Sequence, residues 1–253
     1  MQFPTSARFD LVICDVDGCL SPESSAPWDL ASIAEVARHN RRAIEQRDRP
    51  IVTLCTGRPE PFAEAMCRAI GNDVAPCVAE NGAWLFFPDR NGFSLDPAIT
   101  PEQREIVHLA SRRMHELYGP QGVTQQPGKA AAVTLYHEDP QFLRSICDDV
   151  RAEFERNAWP FRISMTWLYI NCDLQHISKA SGIVRLLNEL GVAKPRIAGI
   201  GDTTSDLPIR EASAWFACPA NAQPEMRDLA DYVSPHEEAA GVVDILRQIT
   251  GGN

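Results

Sequence analysis

The sequence is poor in lysine and lacks the patterns of several common protein classes. Its 253 residues have a net charge of −10, and only three of its 24 basic residues are lysines, at positions 129, 179 and 194. A nucleic-acid or anionic-membrane binder normally carries a basic patch, so neither partner is expected. No apolar run approaches the ~20 residues of a membrane helix. Residues 1–12 also lack the charged and apolar regions of a signal peptide.

The cysteines lack the spacing of a zinc or redox site, because none of the eight belongs to a CxxC pair. Cys14, Cys55, Cys67 and Cys218 lie inside apolar runs. Buried thiols in a reducing compartment explain this pattern better than disulfides do. The sequence therefore predicts a cytoplasmic location.

What is present is an alternation of short apolar strands and helical patterns. LVIC at 11–14, IVTLC at 51–55, PCVAENGAW at 76–84 and RIAGIGD at 196–202 read as strands that end in glycine or polar residues. Amphipathic helical patterns lie between them. This alternation predicts an α/β fold, with a doubly wound, mostly parallel, Rossmann-like core sheet.

Residues 86–174 have a different texture. They contain an Asn-Gly hairpin signal in LFFPDRNGFSL, a long amphipathic helix from Pro101 to Tyr118, and the strand AAAVTLYH. A second helix, QFLRSICDDVRAEF, and the strand-like FRISMTWLYINCD follow. The pattern predicts an α+β domain at 86–174 inserted into a core formed by residues 1–85 and 175–253.

Two carboxylates, Asp15 and Asp17, stand directly after the first strand. Like charges at that spacing repel, so they are either solvated on a turn or hold a cation. Parallel sheets bind ligands where their strands end at the carboxyl edge. The fold would bring further polar residues to that edge: Thr56, Gly57, Gly201, Asp202 and Asp206. Such a group of carboxylates predicts a hard-cation site, most naturally for Mg²⁺.

Each of these patterns also has an ordinary structural explanation. Asp-x-Asp-Gly commonly forms a turn, and Thr56-Gly57 could be the entry to a helix. Asp202 and Asp206 could cap and start a helix. Lys179 could be a solvated first-turn residue, although the positive end of a helix disfavours a cation there. A nearby anion would resolve that conflict, and the four patterns together favour a functional site.

Four segments, DVDGC, TLCTGR, HISKASG and GIGDTTSD, resemble in order and context the four motifs of the haloacid dehalogenase-like (HAD) phosphatases. The block at 86–174 lies between the second and third motifs. It is similar to the α+β cap of subfamily IIB, which includes sucrose-phosphatase-like and other sugar phosphatases. VAENGAW resembles the segment that leads into that cap. The resemblance covers nearly the whole chain.

The resemblance implies a mechanism for the acidic residues. Asp15 would be the nucleophile that attacks phosphorus and forms an aspartyl-phosphate. Asp17 would protonate the leaving alcohol and later deprotonate the attacking water. Mg²⁺ would be held by the Asp15 side chain, the Asp17 main-chain carbonyl and Asp202.

The resemblance also implies which residues bind the substrate phosphate. Thr56, Gly57 and Lys179 would contact its oxygens. Asp206 would orient Lys179 or a metal-bound water. The motifs depart from the family pattern in two places, where Cys19 replaces a common threonine and Ser205 a common asparagine, and we expect these changes to tune turnover.

Specificity is expected to come from residues beside the motifs and from the cap. Arg58 and Asn81 are candidate substrate contacts because their neighbours are already placed at the crevice. In the inserted block, Trp167 and Tyr169 alternate on one predicted strand and could stack on a sugar ring or simply pack the sheet. Four further residues could read hydroxyl or acidic groups, or be ordinary surface residues: Lys129, His137, Arg162 and His176.

The function expected from the resemblance is a Mg²⁺-dependent phosphatase that acts on a small phosphorylated metabolite, such as a sugar phosphate. A phosphomutase of the phosphomannomutase type is an alternative, although the inserted block shows no clear second basic cradle for phosphate. A non-catalytic binding protein that keeps the fold is a third possibility. The intact set of motif residues argues against it.

Overall fold

The computed structural model describes residues 7–251, and it divides into two compact units. The first unit consists of the chain up to Ser94 and from Lys179 onward, and the second unit is Leu95–Ser178. The second unit therefore starts and ends later than the predicted insertion at 86–174. The strand at residues 84–87 explains the later start, since Phe86 packs in the core of the first unit. That the second unit acts as a cap stays a prediction.

The first unit has strands at both ends of the sequence. They are β1 (Leu11–Cys14), β2 (Ile51–Leu54), β3 (Cys77–Ala79), β4 (Trp84–Phe87) and β5 (Gly92–Leu95), and, after the second unit, β10 (Ile197–Ile200), β11 (Trp215–Cys218) and β12 (Tyr232–Val233). Its helices are α1 (Leu30–Gln46), α2 (Glu60–Ala69), α5 (Lys179–Leu190), α6 (Leu207–Ala212), α7 (Pro224–Leu229) and α8 (Glu238–Thr250).

The main sheet of the first unit is parallel, in the order β12-β11-β10-β1-β2. Every residue of β1, β2 and β10 is buried, as expected for parallel strands covered on both faces. Val12 of β1 packs in the same core as residues of α1 and α8, whereas Ile13 packs with residues of α5 and α6. The predicted fold class, a doubly wound α/β core, is confirmed.

The strand at Cys77–Ala79 is placed differently from the prediction. It belongs to a separate three-stranded sheet, β3-β4-β5, and pairs with the chain after β2 through an isolated bridge between Cys55 and Val78. After β3 the chain reverses in the turn at Glu80–Gly82, where all three residues, including Asn81 with a φ of 52°, have positive φ. β4 then pairs antiparallel with β3.

The second unit is an antiparallel sheet with two helices. Its strands are β6 (Thr124–Gln125), β7 (Ala132–Tyr136), β8 (Phe161–Met165) and β9 (Tyr169–Leu174), in the order β6-β7-β9-β8. Its helices α3 (Pro101–Tyr118) and α4 (Pro140–Arg156) pack on that sheet. Thr100 and Gln103 form a reciprocal capping box that starts α3, which satisfies two backbone amides. The α+β character expected of this segment is present.

The predicted single strand FRISMTWLYINCD is wrong in one respect, because the structure divides it into the hairpin of β8 and β9. Trp167 lies in the turn and is 58% exposed. It therefore does not alternate with Tyr169 on one strand, and the Tyr169 ring lies 5.3 Å from that of Tyr136. Within residues 7–251, no helix is both long and apolar enough to cross a membrane.

Candidate active site

Three neighbouring strands deliver the predicted site residues to one edge of the main sheet. β1 lies between β2 and β10, and Cys14 is in register with Leu54 and Ile200. The pairing continues past the strand ends, since the Asp15 amide donates to the Ile200 carbonyl at 3.0 Å. Residues that follow these strands therefore meet at the carboxyl edge, where open α/β sheets bind ligands.

Three carboxylates and one ammonium lie together at this edge. Asp15, Asp202 and Asp206 each offer a carboxylate oxygen within 4.8 Å of the others, and all three are buried. Lys179 Nζ lies 2.9 Å from Asp15 Oδ1 and 2.6 Å from Asp206 Oδ1. These four residues, which we call the acidic cluster, come from separate parts of the sequence. The structure thus brings together residues that the sequence analysis placed in one site.

The charges of the acidic cluster do not balance. Burial, together with the neighbouring carboxylates of Asp206 and Asp17, raises the pKa of Asp15 to about 8 although Lys179 opposes the shift. Burial, Asp15 and Asp206 likewise raise the pKa of Asp202 to about 9. For Lys179, burial lowers the pKa, but Asp15 and Asp206 outweigh it and raise the pKa well above its usual value. If all three carboxyl groups were ionised, the one ammonium would be too little positive charge to balance them.

The donor set fits a hard divalent cation. Within residues 7–251, Asp202 Oδ1 is buried without a hydrogen-bond partner, and such an oxygen is costly unless something binds it. At Gly18 a Cβ atom would lie only 2.0 Å from Asp202 Oδ2, so the glycine lets this carboxylate approach the turn after β1. All available ligands are oxygens, which Mg²⁺ and Ca²⁺ prefer.

The Asp17 carboxylate takes no part in the acidic cluster and is bound by Arg58. Arg58 Nε donates to both carboxylate oxygens at 2.9 and 3.0 Å, and Nη2 donates to Oδ1 at 2.6 Å. Both side chains are partly exposed, at 21% for Arg58 and 27% for Asp17. Arg58, predicted as a substrate contact, is therefore paired with another predicted site residue.

The loop after β2 places the remaining motif residues beside this pair. Thr56 is fully buried, and its hydroxyl accepts from the Arg58 amide at 3.0 Å. The Thr56 carbonyl accepts from the Asn81 amide at 3.0 Å. A Cβ at Gly57 would lie 2.9 Å from Asn81 Oδ1. Gly57 and Asn81 are thus neighbours in space, although 24 positions separate them in the sequence.

Comparisons with known families and proteins show what the chain is similar to. The model of the haloacid dehalogenase-like hydrolases matches residues 123–246. The chain is also 27% identical to a phosphoglycolate phosphatase of Methanospirillum hungatei over 93% of its own length and 94% of that protein. It is 26% identical to a phosphoglycolate phosphatase of Methanoculleus marisnigri, over 94% and 95% of the two chains.

The chain is thus similar to the haloacid dehalogenase-like hydrolases. The predicted family, its subfamily IIB and the predicted phosphatase class are confirmed.

Solved structures show the same fold at low sequence identity. Protein 0175 of Thermoplasma acidophilum superposes with a TM-score of 0.73 at 21% identity, over 96% of this chain and 98% of that one. The sucrose-phosphatase of Synechocystis superposes with a TM-score of 0.64 at 15% identity, over 96% and 98%. At these identities the likeness is one of fold.

Three polar residues of the candidate site were missed by the sequence analysis. Asn221 Nδ2 donates to the Gly18 carbonyl at 2.8 Å. Gln223 accepts from the Thr204 amide at 3.1 Å and donates its own amide to the Asp202 carbonyl at 2.8 Å. Both follow β11, so the rule that locates ligands at strand ends could have found them.

The third missed residue is Glu23, which lies in the Ser/Pro-rich loop before α1. Burial and Asp17 raise its pKa, while Arg58 lowers it. No spacing or motif marks this position, because the loop brings it to Arg58 without regular secondary structure.

Both departures from the family pattern lie close to the acidic cluster. Cys19 is fully buried, and burial, Cys14 and Asp202 raise its thiol pKa well above the usual value. Its contribution is therefore that of a neutral group. The Ser205 hydroxyl lies 2.9 Å from that of Thr203, and either can be the donor.

The candidate specificity residues of the second unit make contacts of their own. Lys129 donates to the Thr134 hydroxyl at 2.6 Å, and Arg162 donates to the Ile177 carbonyl at 3.1 Å. His137 Nδ1 accepts from the Asp139 amide at 3.0 Å, and His176 is exposed. A role of these residues in substrate binding stays a prediction.

Proposed function

We propose that this phosphatase is Mg²⁺-dependent and hydrolyses a small phosphorylated metabolite through an aspartyl-phosphate on Asp15. The observation that carries the proposal is the acidic cluster, in which a carboxylate, an ammonium and two further carboxylates meet at the carboxyl edge of the sheet. Ionisation of all three carboxylates would leave more buried negative charge than Lys179 can balance, and a bound cation would offset it. A phosphate dianion adjacent to it needs the same cation.

The proposed first step is the transfer of the phosphoryl group. An Asp15 carboxylate oxygen attacks phosphorus, and the bond from phosphorus to the leaving oxygen breaks. Asp17 donates its proton to that oxygen, so the alcohol leaves neutral. In the second step a water attacks the same phosphorus, Asp17 takes up the water's proton, and the bond to Asp15 breaks with release of phosphate.

The other motif residues would bind the phosphoryl oxygens. Mg²⁺, held by the Asp15 side chain, the Asp17 main-chain carbonyl and Asp202, would reduce the repulsion between nucleophile and phosphate. Lys179 and the Thr56 hydroxyl, with the backbone at Gly57, would donate to the equatorial oxygens as charge develops. Asp206 would keep Lys179 in place, because it already accepts from Nζ at 2.6 Å.

The substrate class has two candidates. The resemblance to sugar phosphatases of subfamily IIB implies a sugar phosphate. The relatives at 26–27% identity are named phosphoglycolate phosphatases, which adds a small phosphorylated acid. Arg58 and Asn81, beside the motif residues, would contact the rest of the substrate. The cytoplasmic location predicted from the cysteines stays a prediction.

A phosphate-release screen tests the proposal. Purified enzyme is assayed with Mg²⁺ on p-nitrophenyl phosphate, phosphoglycolate and a panel of sugar, polyol and small-acid phosphates. We expect phosphate release that EDTA abolishes and that Asp15→Asn reduces by at least about 10³-fold, since the nucleophile is gone. Asp244→Asn is the control, because Asp244 accepts from the Tyr232 and Ser234 hydroxyls outside the acidic cluster.

Two results of the screen would contradict the proposal. Full activity in EDTA, or in Asp15→Asn, would remove the metal or the nucleophile from the mechanism. Stimulation by a sugar bisphosphate with little phosphate release would instead favour the phosphomutase alternative, in which a bisphosphorylated intermediate is retained.

A further inference from the structure

We propose that Arg58 is a positioning residue that holds the Asp17 carboxylate where it can protonate the leaving group. The proposal rests on the proposed function, in which Asp17 is the general acid and base. It adds a role for Arg58 that does not require contact with the substrate. It also predicts which substrates depend most on this arginine.

The contact between the two side chains fixes the orientation of the carboxylate. Nε and Nη2 of Arg58 donate to the two oxygens of Asp17 at 2.6–3.0 Å. A planar guanidinium that binds both oxygens constrains the carboxylate in direction as well as distance. A lysine at this position would supply the charge without that constraint.

The backbone of Arg58 is anchored independently of Asp17. Its amide donates to the Thr56 hydroxyl at 3.0 Å, and its carbonyl accepts from the Glu80 amide at 2.8 Å. Its guanidinium also lies over the Phe62 ring, 5.0 Å from the centroid. These contacts fix the position of Arg58 independently of its contact with the Asp17 carboxylate.

The backbone of Asp17 is equally well fixed, which leaves the side chain as the variable part. The backbone of Asp17 forms an isolated β-bridge with that of Ser21. The amide of Gly18 donates to the Ser21 carbonyl at 2.7 Å. Asn221 holds the Gly18 carbonyl at 2.8 Å. Because several hydrogen bonds hold the turn, removal of Arg58 would free the Asp17 side chain to move but leave the backbone of the turn in place.

Without Arg58 the carboxylate would also lose its countercharge. The pKa of Glu23 responds to both Asp17 and Arg58, so the two acids share this guanidinium as a charged neighbour. Asp15 is a further negative neighbour, since Asp17 contributes to the raised pKa of Asp15. The unpaired Asp17 carboxylate would turn away from these groups.

The consequence for catalysis depends on the leaving group. A basic alkoxide leaves only if a proton is transferred to it, whereas p-nitrophenolate is stable as an anion. A misplaced Asp17 therefore slows the first step most for alkyl phosphates. The ratio kcat/KM reports the steps up to departure of the leaving group, which makes it the right quantity to compare.

The test compares Arg58→Ala, Arg58→Lys and Arg42→Ala on p-nitrophenyl, phenyl and alkyl phosphates. Arg42 is a matched control, because its Nε and Nη2 bind Asp48 at 3.0 and 2.7 Å before the start of β2, whereas the site follows the end of that strand. We expect Arg58→Ala to lower kcat/KM for alkyl phosphates about 10²-fold or more, and for p-nitrophenyl phosphate about tenfold or less. Arg58→Lys should show the same selectivity, and Arg42→Ala none.

Two further measurements separate positioning from a general structural effect. Arg58→Ala introduced into Asp17→Asn should cause little additional loss, because an effect that acts through Asp17 is already gone. Millimolar guanidinium should restore alkyl-phosphate activity to Arg58→Ala, with NaCl as the ionic-strength control. Thermal unfolding of each variant checks that it is folded, and Arg58→Lys serves if Arg58→Ala is not.

The outcomes are distinct. An equal loss on all leaving groups, or a full additional loss in the Asp17→Asn background, would overturn the proposal while leaving the proposed phosphatase mechanism intact. A wild-type enzyme that releases no phosphate from any substrate would overturn the proposed mechanism, and with it this role of Arg58.

Discussion

Asp206 is the most deeply buried carboxylate of the acidic cluster, and both of its oxygens have partners within the protein. Oδ1 accepts from Lys179 at 2.6 Å, and Oδ2 accepts from the amides of Asp202 and Thr203 at 3.0 and 3.2 Å. It therefore holds the ammonium and the loop after β10 together. This favours the predicted orienting role of Asp206 over direct binding of a metal.

The two shifted carboxyl groups make stability depend on pH. The pKa of Asp15 is raised from 3.8 to about 8, and that of Asp202 from 3.8 to about 9. Between the unfolded and folded values, the folded protein holds protons that the unfolded chain has lost. Folding stability therefore falls as the pH rises through this window.

We predict that the thermal unfolding midpoint of the metal-free enzyme decreases as the pH is raised from about 6.5 to about 8.5. Mg²⁺ should raise this midpoint more at pH 8.5 than at pH 6.5. His39 opposes this decline only weakly and only at its lower end, because burial lowers its pKa from 6.5 to about 4 and most of the resulting gain in stability is reached by about pH 6.5. Thermal unfolding in EDTA and in Mg²⁺ measures both effects. Asp202→Asn, which removes one titrating group, should show a shallower decline and little response to Mg²⁺.

Contrary results would be easy to recognise. An unfolding midpoint in EDTA that stays constant or rises with pH would mean that the pKa values of Asp15 and Asp202 are not raised in the folded protein. An equal effect of Mg²⁺ at both pH values would place the cation elsewhere.

In the turn after β1, Gly18 lies against the Asp202 carboxylate of the acidic cluster. Gly18 has a φ of 76°, and a Cβ there would lie 2.0 Å from Asp202 Oδ2. Gly191, which follows α5, has a similar φ of 65°, but no described atom lies within 4 Å of its Cβ position. An alanine would therefore have to adopt a left-handed backbone at either position, but its Cβ would collide with Asp202 only at position 18.

We predict that Gly191→Ala costs about 1 kcal/mol of folding stability through the left-handed backbone alone, and leaves phosphatase activity unchanged. Gly18→Ala should carry the same backbone cost and, in addition, displace Asp202, so activity and the Mg²⁺-induced rise in the unfolding midpoint should both be lost. Urea unfolding and thermal shift in Mg²⁺ provide the measurements. Equal behaviour of the two variants would contradict the close approach of Asp202 to the turn.

The strand ends could be predicted from sequence because burial on both faces leaves a direct signal. β1, β2 and β10 are short apolar runs that lead into glycine or polar residues, and their parallel pairing follows from the helices between them. The positions of Asp15, Thr56 and Asp202 at one edge then follow from topology alone. Lys179 was harder to place, because a lysine in a first helical turn is usually solvated.

Pairings set by tertiary packing could not be predicted. The turn between β8 and β9 contains Thr166, Trp167 and Leu168, without the glycine, proline or asparagine that marks most turns. The bidentate contact of Arg58 with Asp17 depends on the directions of two side chains in separate loops, which spacing does not encode. The reversal from β3 into β4 uses a positive φ at Asn81, a conformation that asparagine tolerates but does not require.

The thiols are distributed over both compact units, so they report on the integrity of the whole chain. Cys172 and Cys147 lie in the second unit, and the other six cysteines lie in the first. All eight are free in the described part of the chain, and only Cys147 is not fully buried. Burial raises the pKa of the Cys172 and Cys218 thiols, the latter to about 11.

We predict that the native enzyme exposes one thiol to a reagent such as Ellman's, and that eight react after unfolding. The thiolate is the reactive form, so a buried thiol with a raised pKa must wait for an opening of the unit that contains it. Cys147→Ser is the control and should abolish the fast reaction. Several fast thiols in this variant would show that one unit opens readily. Fewer than eight after unfolding without reductant would reveal disulfides, contradicting the prediction of reduced, buried cysteines.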